Sequence, residues 1–373
     1  MQQSFNKLIV SNLLYRPIRS LISITGVAVE IVLILVIVGL LLGILDDSRQ
    51  RQQGMGADIM VQPPGTSFMM GLSGLPMSVK YVDIFRKLPH VTAVTPVGVQ
   101  LNTTGGVETI YGIEPQSFEK IAGPFSFLSG GLFQQPDEVV VDDFFAKANH
   151  VRVGSSIDML NHNFRVSGIV EHGKGARKYI SLSSMEELVG SPAKASIFYL
   201  KVDDPTQDNV RQVISSINSM HGGSQLQVRS MREWLTLMTA GNVPGFSTVV
   251  NVVIGVAVVI GFIVIFQTMY TAVLERTREI GILKSLGSSK VTVVNLVLRE
   301  ALLLALCGAV IGICVSFLAG TLIHNKFPTM NILIQGRWII YASVIAMAGA
   351  MLGASYPAYQ AAKKDPIDAL AYE

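Results

Sequence analysis

Four apolar stretches in this chain are each long enough to cross about 30 Å of hydrocarbon, which takes roughly 20 helical residues. They cover residues 21–45, 247–274, 301–323 and 338–360. Backbone groups in hydrocarbon must be satisfied within their own segment, so each stretch is expected as a helix. Composition agrees: half of the 373 residues are apolar and 15% are charged, against about a quarter charged in a soluble domain. The expected fold class is an α-helical membrane protein with four transmembrane helices. A large α+β extracytoplasmic domain, residues 46–246, separates helices 1 and 2. The net charge of +3 is too small to argue for nucleic acid. Cys307 and Cys314 both sit in the third stretch, so the soluble part has no disulfide. The first stretch is too long for a signal-peptide core and lacks a following cleavage site, so no cleavable leader is expected.

The basic residues orient the spans. Lys7, Arg16 and Arg19 precede the first. Arg276, Arg278, Lys284, Lys290 and Arg299 lie between the second and third, and Lys363 and Lys364 follow the fourth. The loop 324–337 carries only Lys326 and Arg337. Both termini and the loop 275–300 are therefore expected in the cytoplasm, and 324–337 outside. Within residues 1–20, Phe5, Leu8, Ile9 and Leu13 share one face of a short amphipathic helix ended by Pro17. It either lies in the interface or extends the first span. Residues 361–373 form a cytoplasmic tail.

In the extracytoplasmic domain, apolar alternation marks strands at 57–61, 91–100, 107–113, 138–141, 163–170 and 196–202. Helical patterns fall at 79–87, 142–148, 184–189, 206–219 and 230–240. Two lobes are expected, with about 103–185 inserted into a lobe built from the flanks.

Motifs for chemistry are sparse. Gly168 to Gly175 has the glycine and lysine spacing of a phosphate loop, but Gly175 replaces the hydroxyl that should hold magnesium. A strand and turn is the better reading. His150, His162 and His172 lack metal-ligand spacing and fit turns or surface. Asp142-Asp143 and Asp203-Asp204 open helices or turns, where capping accounts for them. No Gly-x-Ser-x-Gly elbow supports a hydrolase. No catalytic, metal or cofactor residues are expected.

Glu30 lies about nine residues into the first span, roughly 13 Å deep at 1.5 Å per residue. An acid there is costly unless it faces protein or water, so an interior position is favoured over snorkelling, with Asn251 and Gln267 of the second span as candidate partners. Gly39/Gly43, Gly308/Gly312 and Gly349/Gly353 have the spacing of close-packed membrane helices, within the chain or at a dimer face. The segment from Thr66 to Met77, with Phe68, Met69, Met70, Leu72 and Met77, suits either an apolar ligand or partner, or burial in the domain.

The loop Leu274 to Gly287 is charged and helical in pattern, with Ile280, Leu283 and Leu286 at intervals of three. Such a turn can insert into a groove of a cytoplasmic partner or lie on lipid. Here Glu275-Arg-Thr-Arg-Glu-Ile-Gly-Ile282, Leu286-Gly287 and Arg299-Glu300-Ala301 resemble the FtsX-like permease domain of MacB, LolC/LolE and FtsX relatives. The tail Tyr356-Pro-Ala through Asp365-Pro-Ile-Asp-Ala-Leu370 resembles that family's close. Asn12-Leu13-Leu14 and Arg16 to Gly26 fit its start. Gly56-Ala-Asp-Ile-Met-Val, Glu138-Val-Val-Val, Val153-Gly-Ser and Phe164-Arg-Val-Ser-Gly-Ile-Val resemble its MacB-like periplasmic domain.

The resemblance implies a multi-pass permease of a bacterial plasma (inner) membrane, with the termini cytoplasmic. It implies a homodimer, or a heterodimer with a related permease, carrying separate ABC ATPase subunits that bring ATP and magnesium, with no cofactor in this chain. A periplasmic adaptor (membrane fusion protein) is a further implied partner. Glu275, Arg276, Arg278, Glu279, Ile282, Lys284 and Leu286 are then the expected ATPase-docking residues. The implied mechanism is mechanotransmission, ATP-driven movement relayed to the outer domain. Efflux from the periplasm or outer leaflet is the first expectation. Lipid or lipoprotein extraction and FtsX-like control of a cell-wall hydrolase are the alternatives.

Overall fold

The structure is a computed structural model that describes residues 17–66, 77–102, 108–220 and 223–364. Residues 1–16, with the expected amphipathic helix, lie outside the described residues, as does the tail beyond Lys364. In chain order the elements are α1 (Pro17–Gln53), β1 (Ile59–Gln62), β2 (Met77–Ser78), α2 (Tyr81–Phe85), β3 (Val91–Asn102), β4 (Glu108–Ile113) and α3 (Pro115–Ala122). Then follow β5 (Phe127–Gly130), β6 (Glu138–Asp142), α4 (Asp143–Ala148), β7 (Ser156–Met159), β8 (His162–Val170), β9 (Lys178–Ser181) and α5 (Leu182–Val189). β10 (Lys194–Ala195), β11 (Ile197–Val202), α6 (Gln207–Ser219), β12 (Gln227–Ser230) and α7 (Met231–Leu237) complete the inserted domain. The chain ends with α8 (Phe246–Glu275), α9 (Thr277–Ser285), α10 (Lys290–Lys326) and α11 (Gly336–Lys363). Two compact units result. Among the described residues, one is a helical bundle of 17–43, 245–325 and 331–364; the other is the inserted domain, within 44–244 with 326–330.

α1, α8, α10 and α11 are each long and apolar enough to span a membrane. Two run well past the expected lengths. α1 continues to Gln53, so at about 1.5 Å per residue it is near 55 Å long, well beyond the hydrocarbon thickness. α10 begins at Lys290 rather than 301, because Val291, Val293, Val294, Leu296 and Val297 keep a helical pattern and nothing breaks it before Arg299.

Close packing in the bundle depends on small residues. A Cβ at Gly308 would fall 2.7 Å from Val27 Cβ and 2.8 Å from Ile24 O; at Gly312 it would fall 2.8 Å from both Ala28 O and Ile31 Cβ. α10 therefore lies against the backbone of α1. Gly353 meets Phe262 O of α8 in the same way, at 2.9 Å. Gly39 faces the link that follows α10, where Leu333 N donates to Gly39 O at 2.9 Å. These glycines are occupied within the chain.

Among the described residues of the inserted domain, ten strands form one sheet in the order β12-β1-β11-β3-β4-β9-β6-β8-β5, with β7 on β8, and β10 pairs with β2. β4–β9 and β6–β8 are parallel and the other pairs antiparallel. Strands of 108–181 fill one end of this sheet and the flanks fill the other. β3 pairs with both β11 and β4, so one sheet runs through the two expected lobes. β8 shows the pattern behind it: Phe164, Val166, Gly168 and Val170 are buried while Asn163 and Arg165 are exposed. Short elements absent from the sequence reading, such as β5, β9, β12 and α3, complete the domain.

The last turns of α1 belong to this domain. Arg177 donates to both Asp47 oxygens at 3.0 Å and to Asp142 Oδ2 at 3.1 Å. Gln52 hydrogen-bonds the hydroxyls of Tyr111 and Tyr199, each at 3.1 Å. Asp142 also caps α4, accepting from Phe145 N at 2.7 Å. Gly175 N donates to Arg51 O, and Lys174 donates to the carbonyls of Gly123 and Pro124. The segment with phosphate-loop spacing is thus the turn from β8 to β9. His150 sits in a turn with φ 53°, His162 pairs with Asp137 and His172 with Asp143. Among the described residues, no group of three His, Cys, Asp or Glu is placed to hold a metal.

Burial pushes the Asp142 carboxyl from its ordinary 3.8 up to about 6, against the lowering by Arg177 and the Phe145 N–H. A group raised in the fold stabilises it below the unfolded pKa and loses that contribution as pH rises through the folded value. Here the window runs from 3.8 to about 6, and the difference corresponds to about 3 kcal/mol. Asp143 moves the other way: burial raises it, but Lys147 and His172 outweigh that and hold it low. A comparison of variants therefore isolates Asp142. Asp142→Asn, which keeps the cap, is expected to gain melting temperature over the wild type as pH rises from about 4 to 7. A constant offset across that range, measured on the detergent-solubilised full chain, refutes it.

Candidate functional site

α8 ends at Glu275, and α9 follows after the single residue Arg276. Its sequence makes it two-faced. Thr277, Ile280 and Gly281 are buried, whereas Arg278, Glu279, Ile282, Ser285 and Leu286 are exposed. Leu286 is 79% exposed and Ile282 44%. Arg278, Ile282 and Leu286 recur every four residues, so they form a line along one side of the helix. Gly287, at φ 93°, ends the turn in a conformation that favours glycine.

The remaining expected docking residues are engaged within the bundle. Arg276 Nη1 reaches both Glu300 oxygens, at 3.2 and 3.1 Å. Arg19 of α1 reaches Glu275 at 3.3 Å and Glu300 at 3.5 Å. The Arg276 and Arg19 side chains are 11% and 12% exposed and that of Glu300 6%, while Glu275 keeps 44%. Lys284 Nζ donates to Ala362 O at 3.0 Å and to Lys364 O, binding carbonyls at the end of α11. Of the seven expected residues, four thus present a free face and three hold α9 in place, with Glu275 in part doing both. Arg19 and Glu300 were missed by sequence reasoning. Arg19 stood in the sequence as one of the basic residues before the first span and Glu300 as part of the Arg299-Glu300-Ala301 motif, but neither signal pointed to their pairing.

A cavity of about 300 Å³ lies beside α9, walled by apolar residues such as Ala272, Ile280, Leu283 and Val297, with Arg276 and Glu300 also on its wall.

Glu30 is buried in α1, 1% exposed, and its Oε1 has no hydrogen-bond partner. Its carboxylate fills the space left by Gly261 of α8 and comes near Gly349 of α11. Asn251 and Gln267 are both exposed on α8. They lie ten and six residues from Gly261, roughly 15 and 9 Å along the axis, so the structure sets glycines rather than amides against Glu30. Phe68, Met69, Met70 and Leu72 lie outside the described residues. Met77 packs in the core with Phe85 and Phe198 and pairs with Ala195.

Two family models cover most of the chain: residues 20–217 match the MacB-like periplasmic core domain, and residues 251–366 match the FtsX-like permease C-terminal domain. The chain belongs to the MacB/FtsX-like family of ABC transporter permeases. It is a multi-pass bacterial membrane protein, and its inserted domain is the MacB-like periplasmic domain. A relative in Shewanella sp. (strain W3-18-1), the macrolide export ATP-binding/permease protein MacB, is 24% identical over 95% of this chain and 58% of its own length. The permease YvrN of Bacillus subtilis (strain 168) is 23% identical over 95% of this chain and 96% of its own. The MacB/FtsX-like chain thus spans little more than half of the curated MacB relatives it matches. The solved periplasmic region of MacB from Actinobacillus actinomycetemcomitans aligns with a TM-score of 0.38 at 19% identity, over 48% of this chain and 92% of that one.

Proposed function

We propose that this permease carries a separate ABC ATPase on the exposed face of α9, and that ATP-driven movement of α9 is relayed through the bundle to the periplasmic domain. The observation that carries the reading is the exposed line of Arg278, Ile282 and Leu286 on a helix whose other face is buried. Apolar side chains flanked by charge on a short helix suit insertion into a groove of a protein partner. In this scheme ATP and magnesium belong to the partner ATPase. α9 and both termini then face the cytoplasm of a plasma membrane, as the distribution of Lys and Arg favours. The pair of permeases that two ATPases require is a homodimer or a heterodimer with a related chain. The MacB relatives are named for macrolide export. An export cargo taken from the periplasm or outer leaflet, with a periplasmic adaptor, is the corresponding role here.

The test is affinity purification of the full chain from native membranes, followed by ATP hydrolysis by the complex. The wild type is expected to bring down an ABC ATPase. Arg278→Glu with Glu279→Arg is expected to lower permease-stimulated hydrolysis by about tenfold or more, as loss of charged contacts in an interface commonly does. Unchanged hydrolysis in the double variant sinks the docking assignment.

A further inference from the structure

We propose that Glu300 is the positioning residue that ties the docking helix to the first and third spans, so that displacement of α9 displaces α1 and α10. This rests on the docking reading above. Glu300 lies within α10, yet its carboxylate receives Arg276 from the α8–α9 junction through both oxygens, at 3.2 and 3.1 Å. Its Oε1 is also 3.5 Å from Arg19 Nη2 of α1, and Arg19 in turn reaches Glu275 at the end of α8. One buried carboxylate therefore joins three helices that are far apart in sequence. Charges shielded from water attract more strongly than exposed pairs, and the two-oxygen contact from Arg276 fixes orientation as well as distance.

The packing around this cluster gives it a mechanical role. The cavity of about 300 Å³ beside α9 has Ala272, Val273, Ile280, Leu283, Val293 and Val297 on its wall. Apolar contact between α9 and α10 is thus incomplete, leaving α9 room to tilt. A side chain packed on all sides transmits displacement, whereas a void absorbs it. The ion-pair cluster is the polar connection at the N-terminal end of α9, and the cavity, with Arg276 and Glu300 on its wall, lies beside it among α8, α9 and α10. A push on the exposed face of α9 accordingly reaches α1 and α10 through Arg276 and Glu300.

The experiment uses the full chain co-purified with its ATPase, with Cys307→Ser and Cys314→Ser as background and a spin label at Leu21→Cys. Leu21 lies on α1 and is 63% exposed. In the parent, ATP with vanadate is expected to change the label's spectrum. In Glu300→Gln the ATPase is expected to co-purify in the same ratio while the spectral change falls by half or more, and Glu300→Asp is expected to restore part of it. Spectral change of parental size in Glu300→Gln overturns the proposal, and so does loss of the ATPase from that variant, which makes Glu300 a docking or folding residue. A parent chain that brings down no ATPase defeats the docking reading instead.

Discussion

Gly312→Leu is expected to abolish accumulation of folded protein, and Gly308→Leu to do nearly the same, while leucine at Gly255 leaves the protein folded. The difference follows from what a side chain meets. At Gly312 the first added carbon would fall 2.8 Å from the Ala28 carbonyl oxygen and 2.8 Å from Ile31 Cβ. At Gly308 it would meet Ile24 O and Val27 at 2.7 to 2.9 Å. These neighbours are backbone and branched carbons near the backbone, so no side-chain rotation relieves the overlap and α10 must separate from α1. Overpacking by a few methylenes costs about 1–3 kcal/mol where the core can adjust. A leucine between two helix backbones exceeds that and removes the close van der Waals contact on which helix association in lipid depends. At Gly255 of α8 a Cβ meets nothing within 4 Å. The readout is the monodisperse fraction and melting temperature of the three variants in mild detergent. Equal yields for Gly312→Leu and Gly255→Leu refute the packing account.

The four spans were legible because length and apolarity are local properties. The Lys and Arg distribution behind the proposed orientation is also local, and so is the repetition of glycine every four residues. What each glycine faces is not local. The sequence left Gly308 and Gly312 open between packing within the chain and a dimer face; it takes the fold to bring α1 against them. The same holds for the proposed docking loop. Its helical pattern is readable from Ile280, Leu283 and Leu286 at intervals of three, but that spacing groups Leu286 with Ile280, and the fold buries Ile280 while leaving Leu286 79% exposed. Which charges would be consumed internally is not readable, because Arg276 finds Glu300 across a turn and Arg19 finds it from 281 residues away. For Glu30, the reasonable search for a polar partner looked to amides, while the fold answers with the small volume of glycine. In the periplasmic domain, strands of four residues such as β9 and β12 are too short for alternation to register, and they exist because neighbouring strands already present a pairing edge.

Arg177→Met is expected to destabilise the protein by about 3–5 kcal/mol at neutral pH, the range for removing one partner of a buried ion pair. The Arg177 side chain is 9% exposed and serves two carboxylates, Asp142 at 1% and Asp47 at 24%. Methionine fills similar space beside Phe144 but leaves the Asp142 charge buried without its main counter-ion. Asp47 retains Arg51 at 3.1 Å, so most of the cost falls on Asp142. The sign of the pH effect follows. Burial already raises Asp142 to about 6 with Arg177 in place, and removing that cation favours the protonated form further. The variant should therefore recover stability as pH falls, when Asp142 takes up its proton. Asp142→Asn in the same chain should recover it at neutral pH, since the amide keeps the cap to Phe145 without the charge. In a double-mutant cycle of melting temperatures the two substitutions are then strongly non-additive. Simple additivity, or a loss independent of pH, places the cost in packing of the Arg177 stem instead. Because Arg177 also holds Asp47 on the last turns of α1, the variant tests whether those turns are held in the domain by charge or by the neutral contacts of Gln52 with the tyrosines and of the Arg51 carbonyl with Gly175 N.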